Sequence, residues 1–138
     1  MTAQLLDLNQ NRWMTLPGVS WQQMEGIATS FDPISGVKLA YLDGLLEIMT
    51  TGEEHEDLKK TIAMLLEAYM RLNGIRFYGR GAPTLDNREQ SVRREPDESY
   101  NLQSKKEIPD FLIEVVITSG GIDTLVSYQR LGIPEVWF

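Results

Sequence analysis

The run Phe111-Leu112-Ile113-Glu114-Val115-Val116-Ile117 constrains the fold more than any other stretch. Seven residues with a single charge among them read as a central strand covered on both faces, since an alternating strand would show a polar side to water. A sheet buried in that way needs helices on its two sides. At 138 residues the chain suffices for one domain with a sizeable core.

The rest of the pattern supplies those elements. Ser20 and Gln23 form a capping-box pair ahead of a short helix with Trp21, Met24 and Ile27 on one face. Residues 37–41 and 45–49 flank Asp43-Gly44, a two-residue hairpin turn. The longest helix follows an acidic start at residues 53–57. Its Leu58, Ile62, Leu65, Tyr69 and Leu72 recur at three and four positions, which predicts that this face packs inward. Asn73-Gly74 closes it. Strands are expected at residues 75–80, 92–100 and 111–117, with 81–90 and 101–107 as loops. Pro96 confines its own strand to an edge, a bulge or a strand end. Residues 118–121 read as a turn, 122–131 as a helix stopped by Gly132, and 133–138 as the start of a further strand. Residues 1–17 are expected to be an arm outside the core, and residues 18–138 the domain. The hydrophobic end Val136-Trp137-Phe138 implies that the natural chain continues past it. The expected class is α/β (α+β): a central mixed sheet flanked by helices, with an N-terminal helix and β-hairpin.

Composition narrows the chemistry. The chain has no cysteine, which excludes disulfides, thiolate zinc sites and cysteine nucleophiles and suits a reducing cytoplasm. It has one histidine, His55, so one chain cannot supply a two-histidine zinc site. No secretory signal and no membrane-length apolar run is seen. The net charge of −7 argues against a protein that coats duplexes non-specifically, though not against an enzyme that meets DNA locally.

Glu114 lies among apolar neighbours. A buried carboxylate needs a cation, an arginine or an opening to solvent, or else it takes up a proton. A metal centre and a structural ion pair both satisfy that need. Asp97 follows Pro96, a pairing common in turns. Antiparallel strands joined through 101–107 would bring Asp97 and Glu114 to one end of the sheet. Two carboxylates plus water suit magnesium.

Taken together, Pro96-Asp97, Pro109-Asp110-Phe111-Leu112-Ile113-Glu114-Val115, Thr118-Ser119-Gly120-Gly121-Ile122-Asp123, Tyr128 and Leu131-Gly132-Ile133-Pro134-Glu135-Val136-Trp137-Phe138 resemble the Uma-type restriction endonuclease family of bacteria, assigned to the PD-(D/E)XK superfamily. The hairpin Leu42-Asp43-Gly44-Leu45-Leu46-Glu47-Ile48-Met49 and His55 fit the same pattern, and the resemblance covers residues 18–138. It implies a restriction-endonuclease-like core and a nuclease acting on DNA phosphodiesters. Asp97 and Glu114 would hold Mg2+ or Mn2+, with Glu47 and His55 as accessory site residues, and the protein would be a homodimer. One departure stands out. Where the superfamily pattern has a lysine this chain has Val116, and where the family often has one it has Thr124. Either another cation substitutes, with Lys59, Arg80, Arg93 and Arg130 as candidates, or the metal suffices alone, or the fold has become a non-catalytic dimeric binding or regulatory module. Arg88, Arg93 and Arg94 form a small basic cluster that would meet phosphates or pair with acidic neighbours. Trp13, Trp21, Trp137 and Tyr128 read as packing residues.

Overall fold

The computed structural model describes residues 11–117 and 121–138. The first ten residues of the expected arm, and residues 118–120 of the expected turn, lie outside them. The local signals give local structure as expected. Asp43 and Gly44 take φ of 49° and 88°, the left-handed pair that a tight hairpin turn requires. They join β2 (Val37–Leu42) to β3 (Leu45–Thr50). Ser20 and Gln23 cap α1 (Trp21–Phe31) reciprocally. The arm is less separate than its sequence suggests, because β1 (Arg12–Leu16) pairs antiparallel with β3 along its whole length.

The main correction concerns the sheet. Two sheets form in place of one. The first is antiparallel, in the order β1-β3-β2-β6-β5, where β5 is Leu85–Asn87 and β6 is Val92–Arg94. The second is mixed, in the order β4-β7-β8-β9, where β4 is Phe77–Gly79, β7 is Glu98–Leu102, β8 is Phe111–Ile113 and β9 is Val136–Trp137. The expected strand at 92–100 is therefore two strands in two sheets. Pro96 lies in the crossing between them, where it has no ladder hydrogen bond to donate. The expected loop at 81–90 contributes β5.

The run at 111–117 is a strand only over its first three residues. Those three are buried between β7 and β9, and β8 meets β9 in parallel. Val116 is 56% exposed.

Helix α2 (Glu53–Leu72) has the expected length but a different orientation. Leu58, Ile62, Leu65, Tyr69 and Leu72 all face solvent, Leu65 at 67% and Leu72 at 87% exposure. The inward side carries His55, Ala63 and Met70, with Leu66 packed against the second core. The helix is thus turned by about 100°, one residue step, from the phase its apolar stripe suggests. α3 (Thr124–Arg130) starts one residue after its Asp123 cap. It is tied to the hairpin turn by Arg130, which bonds Asp43 at 2.6 and 2.8 Å.

Two separate apolar clusters result. One joins Met24 and Ala28 of α1 to Leu39, Tyr41 and Leu46 of the first sheet. The other joins Met70 of α2 to Tyr100, Phe111 and Ile113 of the second. No helix among the described residues is long and apolar enough to cross a membrane.

Candidate active site

Alternate residues of a strand face opposite sides of the sheet. In the first sheet this separates core from chemistry. Leu39, Tyr41, Leu46 and Ile48 face α1. On the other side, register aligns Trp13, Met49 and Lys38 in one row and Thr15, Glu47 and Ala40 in the next. That face, the start of α2 and the segment after β8 enclose a cavity of ≈ 150 Å³. Asp97, Glu114, Glu47 and His55 all line it, as do Lys38, Arg94, Val116 and Thr124.

Asp97 sits where the chain crosses between the sheets and is 2% exposed. Its Oδ1 accepts from Lys38 Nζ at 2.7 Å. Its Oδ2 accepts from the Val115 backbone at 2.7 Å and lies 3.2 Å from His55 Nε2. Burial would raise the Asp97 carboxyl, but the His55 hydrogen bond, the Lys38 ammonium and the Val115 amide outweigh it and hold it well below the usual carboxylate range. The same contact raises His55 against the opposing effect of burial.

Glu114 follows β8. It accepts a short hydrogen bond from the Tyr128 hydroxyl, and Arg94 Nε stands 3.8 Å from its Oε1. Burial, then the Asp97 charge, pushes its carboxyl upward, and Arg94 and Tyr128 offset this in part. The two acids are therefore driven apart: Asp97 is firmly ionised, while Glu114 takes a proton more readily. Arg94 lies 5.6 Å over the Tyr128 ring. Its buried Nε and Nη1 have no hydrogen-bond partner among the described residues. Glu47, 1% exposed, accepts from the Gly121 backbone at 2.7 Å.

All four site residues expected from the sequence are thus brought to one place. The cations are different ones. Lys59 pairs with Glu56, Arg80 with Asn101 and the Lys106 carbonyl, Arg93 with Asp86, and Arg130 with Asp43. Lys38 and Arg94 hold the positions beside the acids. Lys38 had a signal: pairing outward from the Asp43-Gly44 turn sets Ala40 opposite Glu47 and leaves Lys38 two residues along the same face. Tyr128 packs as expected, but its hydroxyl also serves Glu114.

Among the described residues no three of His, Cys, Asp and Glu are grouped to hold a metal. Magnesium does not require three protein ligands. It binds through one or two carboxylates and keeps several waters, so the hard oxygens of Asp97 and Glu114 fit it by donor chemistry. An ion there would compete with Lys38 for Asp97 Oδ1.

The model of a protein family described as putative restriction endonuclease (Uma2) matches residues 23–138. Neither the curated proteins nor the solved structures compared with the chain gave a match.

Proposed function

The chain belongs to the family described as putative restriction endonuclease, and from that premise we propose that it hydrolyses DNA phosphodiester bonds, with Asp97 and Glu114 holding a magnesium ion. The observation that carries this reading is the convergence of Asp97, Glu114, Glu47 and His55 on one cavity that also holds Lys38 and Arg94. Magnesium, when bound, supplies positive charge against the phosphate at the bond being broken. Asp97 is suited to a ligand's role because it stays ionised. Glu114, with its raised affinity for a proton, is the better acceptor from an attacking water. His55 orients Asp97, and Glu47 anchors the backbone at Gly121. Lys38 and Arg94 supply the positive charge that Val116 and Thr124 cannot.

Plasmid nicking tests this. With magnesium or manganese the wild-type protein should convert supercoiled DNA to the nicked form. Asp97→Asn, checked for folding by circular dichroism, should be slower by a factor of roughly 100 or more, the scale on which removing one charge-stabilising group slows an enzyme. Equal rates, or no nicking by either, would sink the reading.

A second reading is a non-catalytic dimeric binding or regulatory module. Lys38 and His55 already engage both oxygens of Asp97, and α2 presents an apolar stripe to solvent; these two observations favour it.

A further inference from the structure

The acids of the site are sunk below the surface. Asp97 and Glu47 are almost fully buried and line a cavity of ≈ 150 Å³. That space admits a phosphate group with a few waters. The phosphates of paired strands lie on the outside of a stiff convex rod, which follows a recess less readily than a flexible unpaired strand does.

The rim of the cavity carries a second feature. Trp13 belongs to the edge strand β1, in the row that continues through Met49 to Lys38. It lines the cavity yet remains 45% exposed. The cavity holds Arg12, Lys38 and Arg94 alongside Glu47, Glu95, Asp97 and Glu114, and an exposed aromatic side chain beside such cations is a place where bases of an unpaired strand can stack, which needs no particular base. Arg94 adds an independent observation. It is 7% exposed, lines the cavity, and has two donor nitrogens without partners among the described residues. Buried guanidinium nitrogens are seldom left without a hydrogen bond; Arg94 has only the Glu114 carboxylate at 3.8 Å and the Tyr128 ring beside it, so its charge is available to an anion in the cavity. The positive groups at the cavity are few: Arg12, Lys38 and Arg94 in a chain of net charge −7. A duplex held by its backbones would need a broad basic face.

We propose that the site takes a single unpaired strand of nucleic acid, one phosphate entering the cavity toward Lys38 and Arg94 and an adjoining base stacking on Trp13. This rests on the nuclease reading for the reaction, but not for the binding. The test is fluorescence anisotropy with a labelled poly-thymidine oligomer and with a labelled duplex of equal length, calcium replacing magnesium so that nothing is cleaved. The unpaired strand should bind at least about tenfold more tightly than the duplex. Trp13→Ala should weaken its binding by about tenfold and Trp13→Phe by much less, as expected for stacking. Equal or tighter duplex binding overturns the proposal, as does binding to neither. Unchanged affinity in a folded Trp13→Ala overturns it too. Should Trp13→Ala fail to fold, the wild-type comparison and Trp13→Phe still decide the matter. The two readings fail separately: a protein that binds the unpaired strand and cleaves nothing is no nuclease, whereas one that cuts duplex and unpaired strand equally is a nuclease without this preference.

Discussion

At Asp97 two basic side chains share one carboxylate: Lys38 holds Oδ1 at 2.7 Å and His55 meets Oδ2 at 3.2 Å. On the nuclease reading, Lys38 would do from a strand distant in sequence what a lysine two positions after Glu114 would do. Lys38→Met should slow cleavage by roughly 100-fold, the scale for loss of one preorganised charge, with Lys38→Arg recovering part of the rate. The check is single-turnover nicking at saturating protein. An unchanged rate in Lys38→Met would mean that Lys38 only neutralises Asp97. Glu114 stands out in the sequence as a carboxylate in an apolar run and Asp97 by its place after Pro96, whereas Glu47 and His55 are singled out by the family resemblance; all four line one cavity. Lys38 and Arg94 are less legible: Lys38 is set beside the site only by counting outward from the Asp43-Gly44 turn, and Arg94 belongs to a basic cluster that could equally have paired with acidic neighbours. Their role depends on which strands lie side by side.

Between elements, legibility follows range. The capping box at Ser20, the turn at Asp43-Gly44 and the stop at Gly132 are decided within four residues, and all three form as read. The inward face of α2 is decided by remote partners. A period of three and four residues gives a stripe but not what lies beneath it. Met70 is claimed by Tyr100 and Phe111 and His55 by Asp97, and the richer stripe is left outside. On the dimeric reading, that stripe would be the contact for a second copy. Sedimentation velocity should find wild type as a dimer and Leu65→Glu as a folded monomer; monomers in both would remove the dimeric reading. The Arg130–Asp43 tie, between α3 and the hairpin turn, makes a smaller claim. The Asp43 carboxyl is lowered by its hydrogen bond to Arg130, against slight desolvation, with the Arg130 charge adding to the effect. A lowered acid stabilises the fold fully above its ordinary value of 3.8 and loses that contribution as pH falls through its folded value. Arg130→Ala should therefore melt a few degrees below wild type at neutral pH, and the gap should close toward pH values of about 3 and below. Thermal melts across that range read it directly. A gap that persists in acid would show that the charge pair is not its source.

For the whole molecule, the α/β class is readable from the sequence, whereas the division into two sheets is not. Pro96 could have marked an edge, a bulge or an end. That it marks a crossing depends on β6 finding β2 while β7 finds β4 and β8. Charge gives a test at this scale. With one phosphate held by Lys38 and Arg94, log affinity for an unpaired strand should fall with log salt at a slope of about −0.7, the value per neutralised phosphate. Titrations at several salt concentrations give the slope. A value several-fold steeper would mean that binding spreads over a basic surface beyond the cavity.

The crossing at Pro96-Asp97 has a further consequence. Each sheet has its own apolar cluster, and the cavity takes Lys38, Glu47 and Arg94 from one sheet and Glu114 from the end of the other. Proteins open in cooperative units of unequal stability. A site assembled across two such units exists only while both are closed, so its lifetime cannot exceed that of the shorter-lived half, however firm the other remains.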